Sequence, residues 1–177
     1  MKTTAISPLI SIGGLPNEAE MNALFLRGVR SLVNVSGVKL SEVYPHQRWD
    51  CWNLNEYFFS DIFSTALDLG SIEDKTHQSL FFEKTAAVEH QQQFLQSVQT
   101  LSSILLQHES VHVFCHHGVG RSPVVTLAAI CQVWSLSLPE AISLVQKLRP
   151  QCRITSMSIA ASRWVQQQRP IYESFNE

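Results

Sequence analysis

Between Val111 and Ser122 the chain reads Val-His-Val-Phe-Cys-His-His-Gly-Val-Gly-Arg-Ser, which brings a thiol, two glycines, a guanidinium and a hydroxyl into one short stretch. Five residues separate Cys115 from Arg121, and Ser122 follows at once. An apolar run ends at Cys115 and another begins at Pro123, so the local reading is strand, loop, helix. Such a loop turns several backbone N–H groups toward one point at the start of a helix, where an oxyanion is stabilised. Arg121 adds a planar fork that fits two oxygens of a phosphate. The same donors favour a thiolate at Cys115. Gly118 and Gly120 supply either a positive φ or a close backbone approach to the ligand. The expected anion cradle is His116, His117, Gly118, Val119, Gly120 and Arg121, with Cys115 as nucleophile.

This Cys-x5-Arg-Ser arrangement resembles the signature of the cysteine-dependent protein tyrosine phosphatases, and Arg121-Ser122-Pro123 in a chain of this length is similar to their dual-specificity branch. The likeness extends to Leu32–Ser36 and to Leu138–Pro150, and it is nearly lost over Asn55–Ala87. It implies two-step hydrolysis of phosphomonoesters on proteins through a cysteinyl-phosphate, with no cofactor and no metal. Phosphotyrosine is expected to be accepted at least as well as phosphothreonine. For Ser122 the resemblance implies a hydrogen bond to the Cys115 sulfur. It also implies a general acid: an aspartate on a loop after the strand that precedes the long helix. Asp61 is the first aspartate in that region, and Asp74 and Glu83 are reserves because the stretch is longer than in small relatives. Phe114 departs from the pattern, which has histidine before the nucleophile; His112, His116 and His117 are the histidines nearby. The rival readings are a phosphate-recognition module without turnover and a phosphatase for a phosphoinositide, glucan or RNA 5′-triphosphate. Another Cys-x5-Arg chemistry, sulfur transfer or arsenate reduction, is a third. Cys51 and Cys152 are candidate redox partners for Cys115.

Composition limits the classes. The 177 residues are 45% hydrophobic and 16% charged, a balance that suits a folded globule. A formal net charge of −2 gives no general basic surface for nucleic acid or anionic lipid. Four cysteines stand far apart without a Cys-x-x-Cys pair, so neither a disulfide framework nor a zinc module is expected. A reactive thiol favours a reducing compartment, and the expected location is cytoplasmic. Met1 to Ile10 lacks the apolar core of a signal peptide, and the longest apolar stretch is too short to span a bilayer.

The surrounding elements must position the loop. Leu9 to Ile12, closed by Gly13-Gly14, predicts an edge strand. Asn17 and Glu20 have capping-box spacing for a helix that carries Met21 and Leu24 and ends at Gly28. Val29 to Val35 predicts the next strand, parallel to the first. Ser36 to Arg48 reads as loop or short irregular helix, and Trp49 to Leu54 as a third strand. Asn55 to His90 is too long for a plain connection. It is expected to hold short helices over Ile62–Leu69 and near Ser79–Lys84. Its aromatics, Tyr57 to Phe63, either complete the core or form a lid that stacks on a phosphotyrosine ring. Ala86 to Gln107 predicts a long amphipathic helix, and Val111 to Cys115 a central strand buried on both faces. Pro123 to Leu136 is apolar nearly all round, as a buried helix is. Ser137 caps the next helix, which Arg149-Pro150 stops. Ser156 to Gln168 predicts the last helix, before an expected mobile tail at 170–177. The fold class is α/β: residues 1–177 as one domain, with a mainly parallel twisted sheet of about four or five strands, helices on both faces, and an insertion at about 55–87. The site is expected outside the carboxyl end of the central strand.

Overall fold

The computed structural model describes residues 3–45, 52–68, 70 and 72–168. Five strands, β1 (Thr3–Ala5), β2 (Ile10–Gly13), β3 (Ser31–Asn34), β4 (Asn55–Phe58) and β5 (Val111–Phe114), form one sheet in the order β1-β2-β5-β3-β4. β1 runs antiparallel along β2, and every other pairing is parallel. The architecture is α/β, a mostly parallel mixed sheet flanked by helices. β5 is the middle strand. Val111 pairs with Ile10 on one side and Ser31 on the other, and Phe114 with Gly13 and Asn34. This register brings the chain after Gly13 and after Asn34 alongside Cys115.

Alternation along the strands divides the core. Val33, Val111, Val113 and Cys115 face the larger cluster, and Leu32 and Phe114 face a smaller one. The larger cluster is covered by α4 (Val88–Leu106), α5 (Arg121–Val133) and α7 (Ser156–Gln167), with α6 (Leu138–Leu148) outside α5. The smaller one holds Met21 and Leu24 of α1 (Glu18–Leu26), Leu40 of α2 (Leu40–Val43), and Trp52. The capping boxes at Asn17–Glu20 and Ser137–Glu140 are both present.

Several expectations are corrected. The first strand is not at the edge, because β1 covers it. The third strand starts at Asn55, later than the Trp49–Leu54 reading. Asn53 has φ 46°, a left-handed conformation that interrupts extended chain there, while Trp52 packs in the smaller cluster; residues 49–51 lie outside the described residues. No helix forms among the described residues of 62–69. Phe59, Ile62 and Phe63 are buried, and the chain then turns at Thr65-Ala66. The helix predicted from Ala86 starts at Val88, because Ala86 and Ala87 are extended and separate it from α3 (Lys75–Thr85). Gln91 Nε2 donates to the carbonyls of Glu83 and Ala86, both at 2.9 Å, and so satisfies groups that the break exposes.

Aromatics of the stretch 55–87 pack into the core. Phe63, Phe82 and Phe94 meet edge-on with centroids 5.0, 5.2 and 5.9 Å apart, and Phe82 lies 5.1 Å from Trp164 of α7. Phe63 is 2% exposed and Phe59 8%. Neither is available to stack on a substrate ring, so the lid reading fails for these two side chains. The tail at 170–177 falls outside the described residues.

Candidate active site

β5 delivers Cys115 to the head of a loop that closes at Arg121, the first residue of α5. Three carbonyls of this loop are turned into the protein. That of His116 accepts from the Leu15 N–H at 3.1 Å, that of Gly118 from Arg149 Nε at 2.7 Å, and that of Val119 from the Arg153 N–H at 2.9 Å. The C=O and N–H of a trans peptide point in opposite directions. The N–H groups of His117, Val119 and Gly120 are thereby aimed away from these anchors, toward the open side of the loop. Gly120 is the N-cap of α5 and offers no side chain to its first turn. Those helix N–H groups add to the cradle and favour an anion.

The sulfur sits at the base. Cys115 is 3% exposed, accepts from the Gly118 N–H at 3.3 Å, and lies 3.4 Å from Ser122 Oγ. Burial pushes its thiol up. The Ser122 hydroxyl, the N–H groups of Ser122 and Gly118, and the Arg121 charge outweigh that penalty, and the net shift is downward. The surroundings of Cys115 thus shift it toward the thiolate relative to a free cysteine.

Gly118 has φ +66°, and a methyl there would collide with the Gly13 backbone and come within 2.6 Å of Arg149 Nη2. Gly120 is excluded from substitution by a neighbour instead: a methyl there would strike Thr65 Oγ1. The two glycines thus serve different needs, a left-handed turn and a close approach by the loop that carries Thr65.

Arg121 Nη1 donates to the Ser36 carbonyl at 2.8 Å and stands 3.8 Å from Asp61 Oδ1. Ser36 is fixed by buried Asn34, whose Oδ1 accepts from the Ser36 N–H at 3.0 Å and its hydroxyl at 2.7 Å. The Leu32–Ser36 stretch therefore orients the guanidinium, a role sequence reasoning did not assign. Nor did it see Arg149, only 1% exposed, as the brace of the loop through Gly118; Nη1 of Arg149 also donates to Thr4 Oγ1 at 2.8 Å.

A cavity of about 440 Å³ opens over the sulfur. Its floor includes Cys115, Gly120 and Arg121, and His116 and His117 stand at its rim. Thr65, Ala66 and Asp68 of the loop after β4 form one wall, and Arg153 and Thr155 another. Two bonds join the walls: Thr155 Oγ1 to the Thr65 carbonyl at 2.6 Å, and the Met157 N–H to the Leu67 carbonyl at 3.3 Å. Asp68 and Arg153 went unnoticed in the sequence, since neither has a fixed spacing from Cys115 that marks it. Arg153 brings a positive charge beside the loop from a distant part of the chain. Burial, then the charges of Arg121 and His117, lower the pKa of His116 and so favour its neutral form.

The candidate acids separate. Asp61 reaches Arg121. Asp74 is instead the exposed N-cap of α3, where its carboxylate accepts from the Thr76 N–H at 2.8 Å and pairs with His77 at 2.9 Å. Glu83 is an exposed residue of α3. Neither Asp74 nor Glu83 lines the cavity. His112 is a core histidine: Nδ1 is 2.8 Å from Ser11 Oγ, the ring stacks on Phe114, and burial drives its pKa down to about 3. It does not join His116 and His117 at the loop. Cys51 lies outside the described residues. Cys152 is buried, and its thiol is pushed up to about 11 by that burial.

Comparisons with known proteins bear on the family and the fold. The profile of the dual specificity phosphatase catalytic domain matches residues 62–162, more than half of the chain. The chain belongs to that family. No curated protein matches it significantly. Among solved structures, Tk-PTP in its active form superposes with a TM-score of 0.64 at 17% identity, over 94% of this chain and 98% of its own. PTPMT1 in complex with PI(5)P gives 0.63 at 18%, over 94% and 96%. The human tyrosine phosphatase-like serine/threonine/tyrosine-interacting protein gives 0.62 at 14%, over 98% and 96%. At these identities the likeness is one of fold. Among the described residues no helix is long and apolar enough to cross a membrane.

Proposed function

We propose that this protein hydrolyses phosphomonoesters on proteins, phosphotyrosine at least as readily as phosphothreonine, through a cysteinyl-phosphate. The observation that carries the reading is the Cys115 sulfur at the base of a loop three of whose carbonyls are tied back into the protein, which turns the following N–H groups the other way. The thiolate attacks phosphorus in line, the P–S bond forms, and the P–O bond to the leaving group breaks. Backbone N–H groups from His116 to Arg121, together with the Arg121 guanidinium, hold the three equatorial oxygens. Asp61 protonates the departing oxygen and then takes a proton from the water that cleaves the P–S bond. Ser122 steadies the sulfur as it leaves. Residues 1–177 act as one catalytic domain, with no cofactor in the scheme, and the reactive thiol suits a reducing, cytoplasmic setting.

One observation favours a second reading, a recognition module with little turnover. The Asp61 side chain is 55% exposed and is not part of the cavity wall, whereas Asp68 is. The test is turnover of a phosphotyrosyl peptide by the native chain, Cys115→Ser, Asp61→Asn and Asp68→Asn, with acid-quench mass spectrometry for phosphate on Cys115. Phosphocysteine in the native chain and a drop of about 10²-fold or more in Asp61→Asn support the proposal. Native binding without turnover supports the recognition module. Full activity in Asp61→Asn with collapse in Asp68→Asn moves the acid to Asp68.

A further inference from the structure

The cavity is larger than one phosphoryl group requires: about 440 Å³ falls among pockets that enclose a whole small ligand. The loop and Arg121 account for its floor. Beyond them, the charged groups on its walls are Arg153 and Asp68. Arg153 is placed by the cradle itself, since its main-chain N–H is bonded to the Val119 carbonyl. Among the described residues, the ion pairs are Asp74–His77 and Asp61–Arg121, so the Arg153 guanidinium and the Asp68 carboxylate are not paired to each other. The wall contacts through Thr65 and Leu67 hold the two sides apart in a fixed relation. Arg153 is thus a cationic residue on the wall of the chamber over Cys115, with no carboxylate partner among the described residues.

We propose that Arg153 is a specificity-determining residue, which receives an acidic side chain lying within a residue or two of the phosphorylated one in a phosphopeptide. This rests on the protein-phosphatase reading given above. The extended chain advances about 3.3 Å per residue, so a neighbouring side chain falls within the same cavity. A peptide suits the walls better than a multiply phosphorylated sugar does. The peptide brings one further negative charge for one further guanidinium, whereas a cluster of phosphates would also meet the Asp68 carboxylate. Arg153 is exposed, so its effect is that of a screened charge-assisted contact, roughly three- to tenfold in affinity.

The experiment uses the full chain as Cys115→Ser, so that phosphopeptides bind without being consumed. Fluorescence anisotropy is measured with phosphotyrosyl peptides bearing Glu, Gln or Lys at each position flanking the phosphotyrosine. Parallel titrations use Arg153→Gln and Arg153→Glu on the same background. The expected result is a preference for Glu over Gln peptides at one flanking position, lost in Arg153→Gln and turned toward Lys in Arg153→Glu. An unchanged Glu-to-Gln ratio in both variants overturns the inference. So does a larger loss for a soluble inositol bisphosphate than for any Glu peptide. Failure of every phosphopeptide to bind overturns it together with the protein-substrate reading. Failure of the native chain to turn over peptides that do bind defeats only the catalytic reading, and the affinity ratios still decide Arg153.

Discussion

Replacing Ser122 by alanine isolates one contribution to the thiolate. The Ser122 hydroxyl has a single proton and two nearby acceptors: the Cys115 sulfur at 3.4 Å and the Gly13 carbonyl at 3.3 Å. With the thiol neutral, the proton can remain on Gly13. Once the thiolate forms, the stronger acceptor takes it. A hydrogen bond to a charged group contributes about 1.5–3 kcal/mol, and the forgone neutral bond about 1 kcal/mol, leaving about 0.5–2 kcal/mol in favour of ionisation. At about 1.4 kcal/mol per tenfold change in an equilibrium, Ser122→Ala raises the Cys115 pKa and lowers its thiolate-to-thiol ratio by about two- to thirtyfold. The Gly118 N–H and the Arg121 charge remain and continue to oppose the burial penalty. The sign follows: at a given pH the variant holds less thiolate, and the acid limb of its rate profile moves to higher pH. The assay is the pH dependence of iodoacetamide alkylation, read by mass spectrometry on the Cys115 peptide. Cys131 and Cys152, pushed up to about 11 by burial, stay protonated across the neutral range and provide internal references. A midpoint that stays in place or falls in Ser122→Ala would refute this account of the thiolate.

Three further outcomes are expected. Gly118→Ala combines a left-handed φ with a collision against the Gly13 backbone, so it should lose at least about 1–3 kcal/mol of stability along with most activity, read by denaturant titration and phosphatase assay. Gly120→Ala should be impaired by contact with Thr65, and Thr65→Ala in the same chain should restore part of the rate; no rescue would mean that the Thr65 loop does not rest on the cradle. Arg149→Met should lower stability by roughly 1–3 kcal/mol through the orphaned Gly118 carbonyl. It should also slow alkylation of Cys115, because the loop loses its brace, and a variant with native stability and native reactivity would argue against that role.

The strand-loop-helix unit around Cys115 was legible because it is local: Cys115, Arg121, Ser122 and the glycines lie within twelve residues of one another. The capping boxes at Asn17 and Ser137 were legible for the same reason, each being a spacing of three residues. What sequence missed depends on contacts between distant segments. The orientation of Arg121 is set by Ser36, a carbonyl that no side-chain pattern announces. The brace at Arg149 looked like a helix stop, because its Arg-Pro context marks an end and says nothing of its fully buried guanidinium. The Thr65-Ala66 turn displaced a predicted helix because anchoring Phe59, Ile62 and Phe63 in the core outweighs local propensity. The strand at Asn55–Phe58 was placed too early because aromatic, apolar content at Trp52 and Leu54 suits a packed loop as well as a strand.

The sheet order has a bearing on how the protein comes into being. β5 lies between strands from the first part of the chain. The contact from Ser122 to Gly13 joins residues 109 apart in sequence, and that from Arg121 to Ser36 residues 85 apart. The brace from Arg149 to Gly118 comes a further 31 residues after the loop it holds. On a ribosome, β2 and β3 emerge first and must wait, their shared central position empty, until β5 is synthesised. Closing such long loops is slow beside forming a helix. Helical signal in refolding will therefore precede catalytic competence, and recovered turnover marks completion of the whole sheet.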